Sequence, residues 1–381
     1  MSRSYILSIL FLFSVVVSSF GADKNNIVIA KALAHDVIEN APLQTVRTFN
    51  AETSVVASAL IALFTETNDT VFLAYAQAYA DKFVNDDGTI PTIDLTTFDS
   101  QNIIAALFLF DLYNVTRDAK YLRGVSYVRE QLMRQPRTTD RAFLRDAQSR
   151  QQLHLNTLFD ICPFYARFAT IFDRSAIFGD ISVQFDEFDK RTVDAKSGLN
   201  FDAWSATKQE IWANSATGLS NFISAQGMAF YMLAMVESLE YFPMNNPSRF
   251  RIVAQLNRVA KALAKQQDGK TGMWYQLLNA PKRGGNLPDA NASAIMLYSI
   301  QKGVRLGVMP KTFSKTASKA FDGVVKNAIQ KQSDEKQNIV FAPGRINLGQ
   351  NDGSLTSYVG VTKEKNNAYA VAAMIKALVE K

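Results

Sequence analysis

FDLYNVTRDAKYLRGVSYVREQLMRQPRT, residues 110–138, carries the pattern that decides the fold. An apolar-periodic segment ends at the polar link NVT (114–116), Tyr121 opens a second segment with apolar residues spaced i, i+3, i+4, i+7, and this runs into a long polar connection. The unit is a helical hairpin with a short turn. It recurs along the chain: TETN (65–68), the stretch near Asp173, FPMNN (242–246) and GVMP (307–310) are further short links, and Phe72, Phe250 and Phe313 are the matching aromatics that open the next helix. Between hairpins lie the long connections 41–51, 85–98, 135–150, 192–217, 268–286 and 333–364.

The same periodicity predicts twelve helices, over 24–40, 52–65, 70–84, 99–114, 118–134, 151–171, 174–191, 218–242, 246–267, 287–307, 311–332 and 365–380. The predicted class is all-α. Placing every second helix inside a ring and its neighbour outside brings all short turns to one rim and all long loops to the other, which is an (α/α)6 toroid, a six-hairpin barrel. A solenoid needs capping repeats and seldom carries long, dissimilar loops on one side. Long irregular loops are where function concentrates, so the candidate site is the long-loop rim, at the N-terminal ends of the inner helices.

Arg3, the uncharged and largely apolar run Tyr5–Val17, and the small residues Ser18, Ser19, Gly21 and Ala22 read as a signal peptide over 1–21. The expected mature chain, 22–381, is one domain that is secreted, extracellular and monomeric, since no later segment reaches the roughly 18 uncharged residues of a membrane span. Sequons at Asn68, Asn114 and Asn291 are candidate glycan acceptors. The single cysteine, Cys162, precludes an internal disulfide and reads as a small buried hydrophobe. The formal charge of +6 is dispersed, with Lys311, Lys315, Lys319 and Lys326 on the wet face of an outer helix, and no basic cluster interleaved with aromatics points to nucleic acid. Two histidines and one cysteine give no zinc spacing, and neither a G-x-S-x-G elbow nor a phosphate-cradling loop is present, so no metal or cofactor is expected.

The long-loop rim is rich in groups suited to sugars: Asp94, Asp99, His154, Asn156, Asp202, Trp204, Trp212, Asn221, Gln226, Trp274, Tyr275, Asn286 and Asp289, including all three tryptophans of the chain. Aromatic faces stack on sugar rings, while carboxylates and amides hydrogen-bond hydroxyls. For each tryptophan the plain alternative is that it packs a loop against the ring.

WANSATGLSNF (212–222), QDGKTGMWYQLLNAP (267–281) and KGVRLGVMP (302–310), together with 110–138 and LNTLFDICPFYARF (155–168), resemble the unsaturated rhamnogalacturonyl hydrolases of glycoside hydrolase family 105, which are related to the family 88 unsaturated glucuronyl hydrolases. The resemblance spans nearly the whole mature chain and implies the same barrel. It also implies a substrate, the oligosaccharide left by pectin lyases, whose non-reducing end is a 4,5-unsaturated uronic acid. In such enzymes an aspartic acid protonates the enol ether at C4 and water adds at C5, so the residue must carry and release a proton.

The aspartate implied for that step falls in His154-Leu155-Asn156-Thr157-Leu158-Phe159, where its position holds Asn156, an amide that cannot shuttle a proton. The stretch Asp202-Ala203-Trp204-Ser205 keeps the family's Trp, and Ile223-Ser224-Ala225-Gln226 has Ser224 for a Trp and Gln226 for an Arg that would meet a uronate. Asp99 matches the second functional aspartate, with an alternative role as a helix cap. Trp204, Trp212, Trp274 and Asn286 also match, with His154 and Gln226 as further substrate contacts. Three readings stay open: rearranged catalysis in which Asp160 or Asp202 works with Asp99, a non-catalytic carbohydrate-binding or interaction protein on the same fold, and ordinary catalysis if the alignment at Asn156 differs.

Overall fold

The computed structural model describes residues 24–333, 336–339, 342–343, 352–361 and 363–380; the expected signal peptide lies outside them. After α1 (Lys24–Asn40), hairpins follow in order: α2 (Ala51–Thr67) with α3 (Thr70–Phe83), α4 (Gln101–Ala105) and α5 (Leu107–Thr116) with α6 (Ala119–Met133), α7 (Leu155–Ile171) with α8 (Ile177–Thr192), α9 (Ala225–Leu239) with α10 (Pro247–Gln266), and α11 (Ala290–Arg305) with α12 (Ser314–Ala328). Two helices, α13 (Leu355–Val359) and α14 (Ala368–Val379), complete the chain. Short strands pair antiparallel within the loops: β1 (Gln152–His154) with β2 (Ala203–Ser205), β3 (Ile329–Ser333) with β4 (Lys336–Ile339), and β5 (Ala342–Pro343) with β6 (Lys363–Glu364).

The turns show why the hairpins form. At the end of α2, Asn68 takes a left-handed conformation (φ 55°), and Asp69 then caps α3 by accepting the Val71 N–H. α5 ends in the same way at Arg117 (φ 62°), with Asp118 accepting the Lys120 N–H. A left-handed residue stops one helix and the next Asp starts another, a combination that reverses the chain in two residues. Asn246 and Pro247 do the starting for α10.

Six inner helical positions, α2, α4–α5, α7, α9, α11 and α14, pack in sequence, and α14 packs back on α2, so the inner ring closes. α3, α6, α8, α10 and α12 each cover their own hairpin partner, and α1 covers α14. The closure joins chain ends: Asn366 hydrogen-bonds Asp36, and Lys31 pairs with Asp69 at 2.8 Å across the outer layer. The toroid predicted from loop lengths is the observed fold. Among the described residues no helix is long and apolar enough to cross a membrane. Cys162 is buried within α7 as expected.

Some local expectations differ. The helix foreseen over 99–114 breaks at Ala106, whose N–H is shared between the Ile103 and Ile104 carbonyls. The helix foreseen from 151 starts at Leu155, because residues 152–154 pair with 203–205; the one foreseen from 218 starts only after Ser224, which caps it. Residues 329–332, expected to continue the helix, lie in β3. Phe72 and Tyr121 are buried, but Phe250, expected to play the same part, is 65% exposed. Asn291 is wholly buried inside α11 and cannot carry a glycan in this fold, whereas Asn68 and Asn114 are exposed.

At the short-turn end the inner helices are tied by charge around a cavity of about 470 Å³. Asp111 pairs with Arg167 and accepts the Ser58 hydroxyl, Lys302 meets Glu237 and Glu240 at 2.8 Å each, and Arg305 meets Glu380. Burial would raise the Glu237 carboxyl, but the ammonium groups of Lys302 and Lys376 and the hydrogen bonds from Lys302 and Tyr298 together outweigh it and hold Glu237 well below the usual carboxylate range. Removing one partner of such a buried pair strands the other charge. Lys302→Met is expected to lose about 3 kcal/mol in denaturant unfolding. Most of that loss should be recovered in Lys302→Met/Glu237→Leu, and an equal loss in the single and double variants would contradict this account.

Candidate active site

All the loops that precede α4, α7, α9 and α11 gather at the end opposite this charged cavity. Phe98 holds a left-handed φ of 54°, and the end of the outer helix α6 and the residues after it fix the chain there: Gln135 donates to the Phe98 carbonyl (2.7 Å) and Gln131 of α6 to the Asp99 carbonyl (2.9 Å). The half-buried Asp99 side chain accepts the Gln101 N–H at 3.0 Å, just ahead of α4, whose N-cap position is Ser100. Its neighbour Ser100 donates to Asp160 Oδ2 at 2.8 Å. Asp160 is wholly buried in that contact between α4 and α7. Asp160, one of the two acids that could work with Asp99, thus helps to seat the segment that carries Asp99.

On the adjoining helix, His154 closes β1 and Asn156 sits in the first turn of α7. Asn156 is half-buried. His154 is buried, edge-on to Trp212 with ring centroids 5.5 Å apart, and 3.2 Å from the Gln152 side-chain oxygen. Burial, with nearby Arg145 adding to it, lowers its pKa to about 3, so the ring is neutral at physiological pH.

Between the starts of α7 and α9 lies Asp202. Its carbonyl accepts the Leu155 N–H, and its side-chain Oδ1 accepts the Ser224 N–H, both at 2.9 Å. Gly227 makes room for it, since a Cβ there would collide with Asp202 Oδ1. Burial raises the Asp202 carboxyl to about 6 despite the hydrogen bonding from Ser224. The buried Tyr358 hydroxyl of α13 stands beside this carboxyl and makes no hydrogen bond of normal geometry. Tyr358 was not foreseen, because a tyrosine in a long connection gives no signal of where it lands.

Deeper in the rim, Asp289 caps α11 by accepting the Ala292 N–H at 2.9 Å, and the buried Gln226 amide lies 3.5 Å from its other oxygen. Burial pushes Asp289 up to about 7. Read as one more polar rim residue, Asp289 proves to be an acid poised near neutrality. Gln226 thus faces a carboxyl of the protein's own.

The tryptophans divide differently from the sugar-stacking expectation. Trp274 is wholly buried, and its indole N–H donates to the Leu263 carbonyl of α10 at 2.8 Å, which makes it a wall residue. Trp212 is 2% exposed and packs with Ala203, Leu277 and Tyr358, pressed from outside by Gly353, where a Cβ would clash with the Trp212 backbone. Trp204 is half-buried with the Arg191 guanidinium 5.0 Å above its ring. Asn286 is buried too, and its side chain exchanges hydrogen bonds of 3.0 Å with Leu277 while donating to the Ala280 carbonyl. It shapes the loop before α11 and presents no free amide to a ligand. The structure therefore brings Asp99, Asn156 and Asp202 to one rim, with His154 beneath and Trp212 packed behind. Among the described residues no group of three or more His, Cys, Asp or Glu forms a metal-binding cluster.

Residues 25–381 match the family model for Glycosyl Hydrolase Family 88. A solved family 105 glycoside hydrolase from C. acetobutylicum is 28% identical and superimposes with a TM-score of 0.87 over 92% of this chain and 98% of its own. An unsaturated glucuronyl hydrolase from Bacillus sp. GL1 shares the fold at 11% identity, with a TM-score of 0.70 over 93% and 95% of the two chains. Among curated proteins, Protein Atu3128 of Agrobacterium fabrum is 27% identical over 158 residues, 42% of this chain and 66% of that protein, so the chain spans just under two thirds of its length.

Asp289 gives a stability test. Its folded pKa, about 7, lies above the ordinary 3.8, so the neutral form stabilises the fold fully below about pH 4 and that contribution is lost as pH rises through 7. Asp289→Asn keeps the cap oxygen and removes the titration. It is expected to match wild type near pH 4 and to become the more stable protein near pH 8, by up to about 4 kcal/mol. Parallel melting curves across that range would contradict the buried-acid assignment.

Proposed function

The chain belongs to glycosyl hydrolase family 88, and from that membership we propose that it acts on pectin-derived oligosaccharides ending in a 4,5-unsaturated uronic acid, with Asp202 supplying the proton that Asn156 cannot. One observation carries the reading: Asp202, whose buried carboxyl has its pKa raised to about 6, is tied through its backbone carbonyl to Leu155, the chain neighbour of Asn156 at the start of α7. A general acid works best when its pKa lies near the working pH, and burial supplies that here.

In the proposed reaction the Asp202 proton goes to C4 of the enol ether, and water adds its oxygen to C5 and returns a proton to the carboxylate. The hemiketal at C5 then opens to a ketone, its ring oxygen taking a proton as a hydroxyl on C1. That C1 hemiacetal expels the remaining sugar as an alcohol. One water is consumed and the acid is regenerated. Asp99 orients the substrate, and the neutral His154 keeps Trp212 and the start of α7 in register. The inner-helix N-termini, all directed at this rim, favour the negative charge of a uronate.

Export after residue 21 and action outside the cell as a monomer belong to the same proposal. A second reading, an inert binding protein, draws on Asn156 itself, whose amide offers hydrogen bonds without acid chemistry.

Loss of the ultraviolet absorbance of the substrate's C4=C5 bond separates the two. Wild type is expected to consume unsaturated galacturonyl-rhamnose with a rate that falls as pH rises above about 6. Asp202→Asn should lower that rate by about 100-fold or more, and Asn156→Asp should raise it. A wild-type protein that leaves the absorbance unchanged overturns the catalytic reading, and activity that survives Asp202→Asn overturns the assignment of the acid.

A further inference from the structure

Gln226 supplies no charge to meet a uronate, but the loop before α11 displays two adjacent cations, Lys282 and Arg283. A depression of about 490 Å³ opens beside Phe222 and is walled by Asn279, Ala280, Pro281, Lys282 and Arg283. Lys282 and Arg283 are exposed, and neither forms an ion pair with a described residue, whereas Arg137, Arg167, Arg191 and Arg258 are all paired with acids.

The loop that presents them is fixed. The Arg283 N–H donates to the Ala280 carbonyl and the Asn286 N–H to the Arg283 carbonyl, both at 3.1 Å, and the buried Asn286 amide ties both Leu277 and Ala280. Across the depression, Asn279 Oδ1 accepts the Ile223 N–H at 3.1 Å, which holds this loop to the one carrying Phe222. The half-buried Phe222 ring meets Tyr358 edge-on at 5.3 Å, and Tyr358 is the residue beside Asp202. The depression is thus one aromatic contact from the proposed acid.

We propose that this depression is a subsite for an acidic sugar: a uronate unit of the oligosaccharide stacks on Phe222 while its carboxylate is held by Lys282 and Arg283. The inference rests on the carbohydrate reading above and names where the negative charge of the substrate is recognised. An aromatic face and two unpaired cations on a braced loop supply the stacking and the charge that a uronate presents, and a neutral sugar would use only the first.

Calorimetric titration with saturated trigalacturonate tests it without any need for turnover, since that ligand has no double bond to hydrate. Wild type is expected to bind it with an affinity that falls as salt rises, and to bind the fully methyl-esterified trimer about tenfold more weakly or worse. Lys282→Ser/Arg283→Ser should lose about tenfold for the acid and little for the ester, and Phe222→Ala should weaken both. The titration reads binding and no turnover, so a failed acid assignment leaves this result standing. Equal affinity of wild type for acid and ester, unchanged binding in the double variant, or no binding of the acid by wild type would each overturn the subsite.

Discussion

Closure of the inner ring by α14 is the constraint on which the rest of the molecule depends. Nine of its twelve residues are buried, because it fits between α2 and α11 on its flanks and under α1 on its outer side. A helix apolar nearly all round has no stable place at a surface, so the last helix of the chain must find the first hairpin. Once it does, the alternation of inner and outer helices is forced. The N-terminal ends of the inner helices then share one rim, and their C-terminal ends share the other, with its interlocked charges.

The two rims have opposite electrostatic characters. At the short-turn end each buried acid meets a cation, as Glu237 meets Lys302 and Asp111 meets Arg167. At the long-loop end the buried carboxyls of Asp202 and Asp289 meet backbone N–H groups and amides, and burial keeps both inclined to hold a proton near neutrality. The first arrangement stabilises the ring and offers no proton to give away. In the second, poorly compensated burial supplies an acid, at a cost in stability that the ring as a whole must carry.

Much of this was legible in the chain. The turn pairs Asn68-Asp69 and Arg117-Asp118 act through φ/ψ preference and capping, which are local, so the hairpins could be read from a few residues at a time. The position of the mouth followed from loop length. Roles inside the mouth were read less well. Trp274 and Asn286 look like sugar contacts by type, and the fold uses both to brace loops. Asp160, one helical turn from Asn156, turns toward Ser100 of the neighbouring helix. Side-chain type survives in a sequence, but the face a side chain presents depends on which helices become neighbours.

What the sequence by itself determined is the helical hairpin, its sixfold repetition, and the rim where long loops gather. Each depends on residue identity and short-range spacing. Only the tertiary structure decided that Asp202 and Asp289 are the carboxyls held near neutrality, that Tyr358 lies against Asp202, and that Phe222 shares a depression with Lys282 and Arg283. These pairings join segments far apart in the chain, and the pKa of a carboxyl depends on the water that distant segments exclude, a quantity that exists only once the ring has closed.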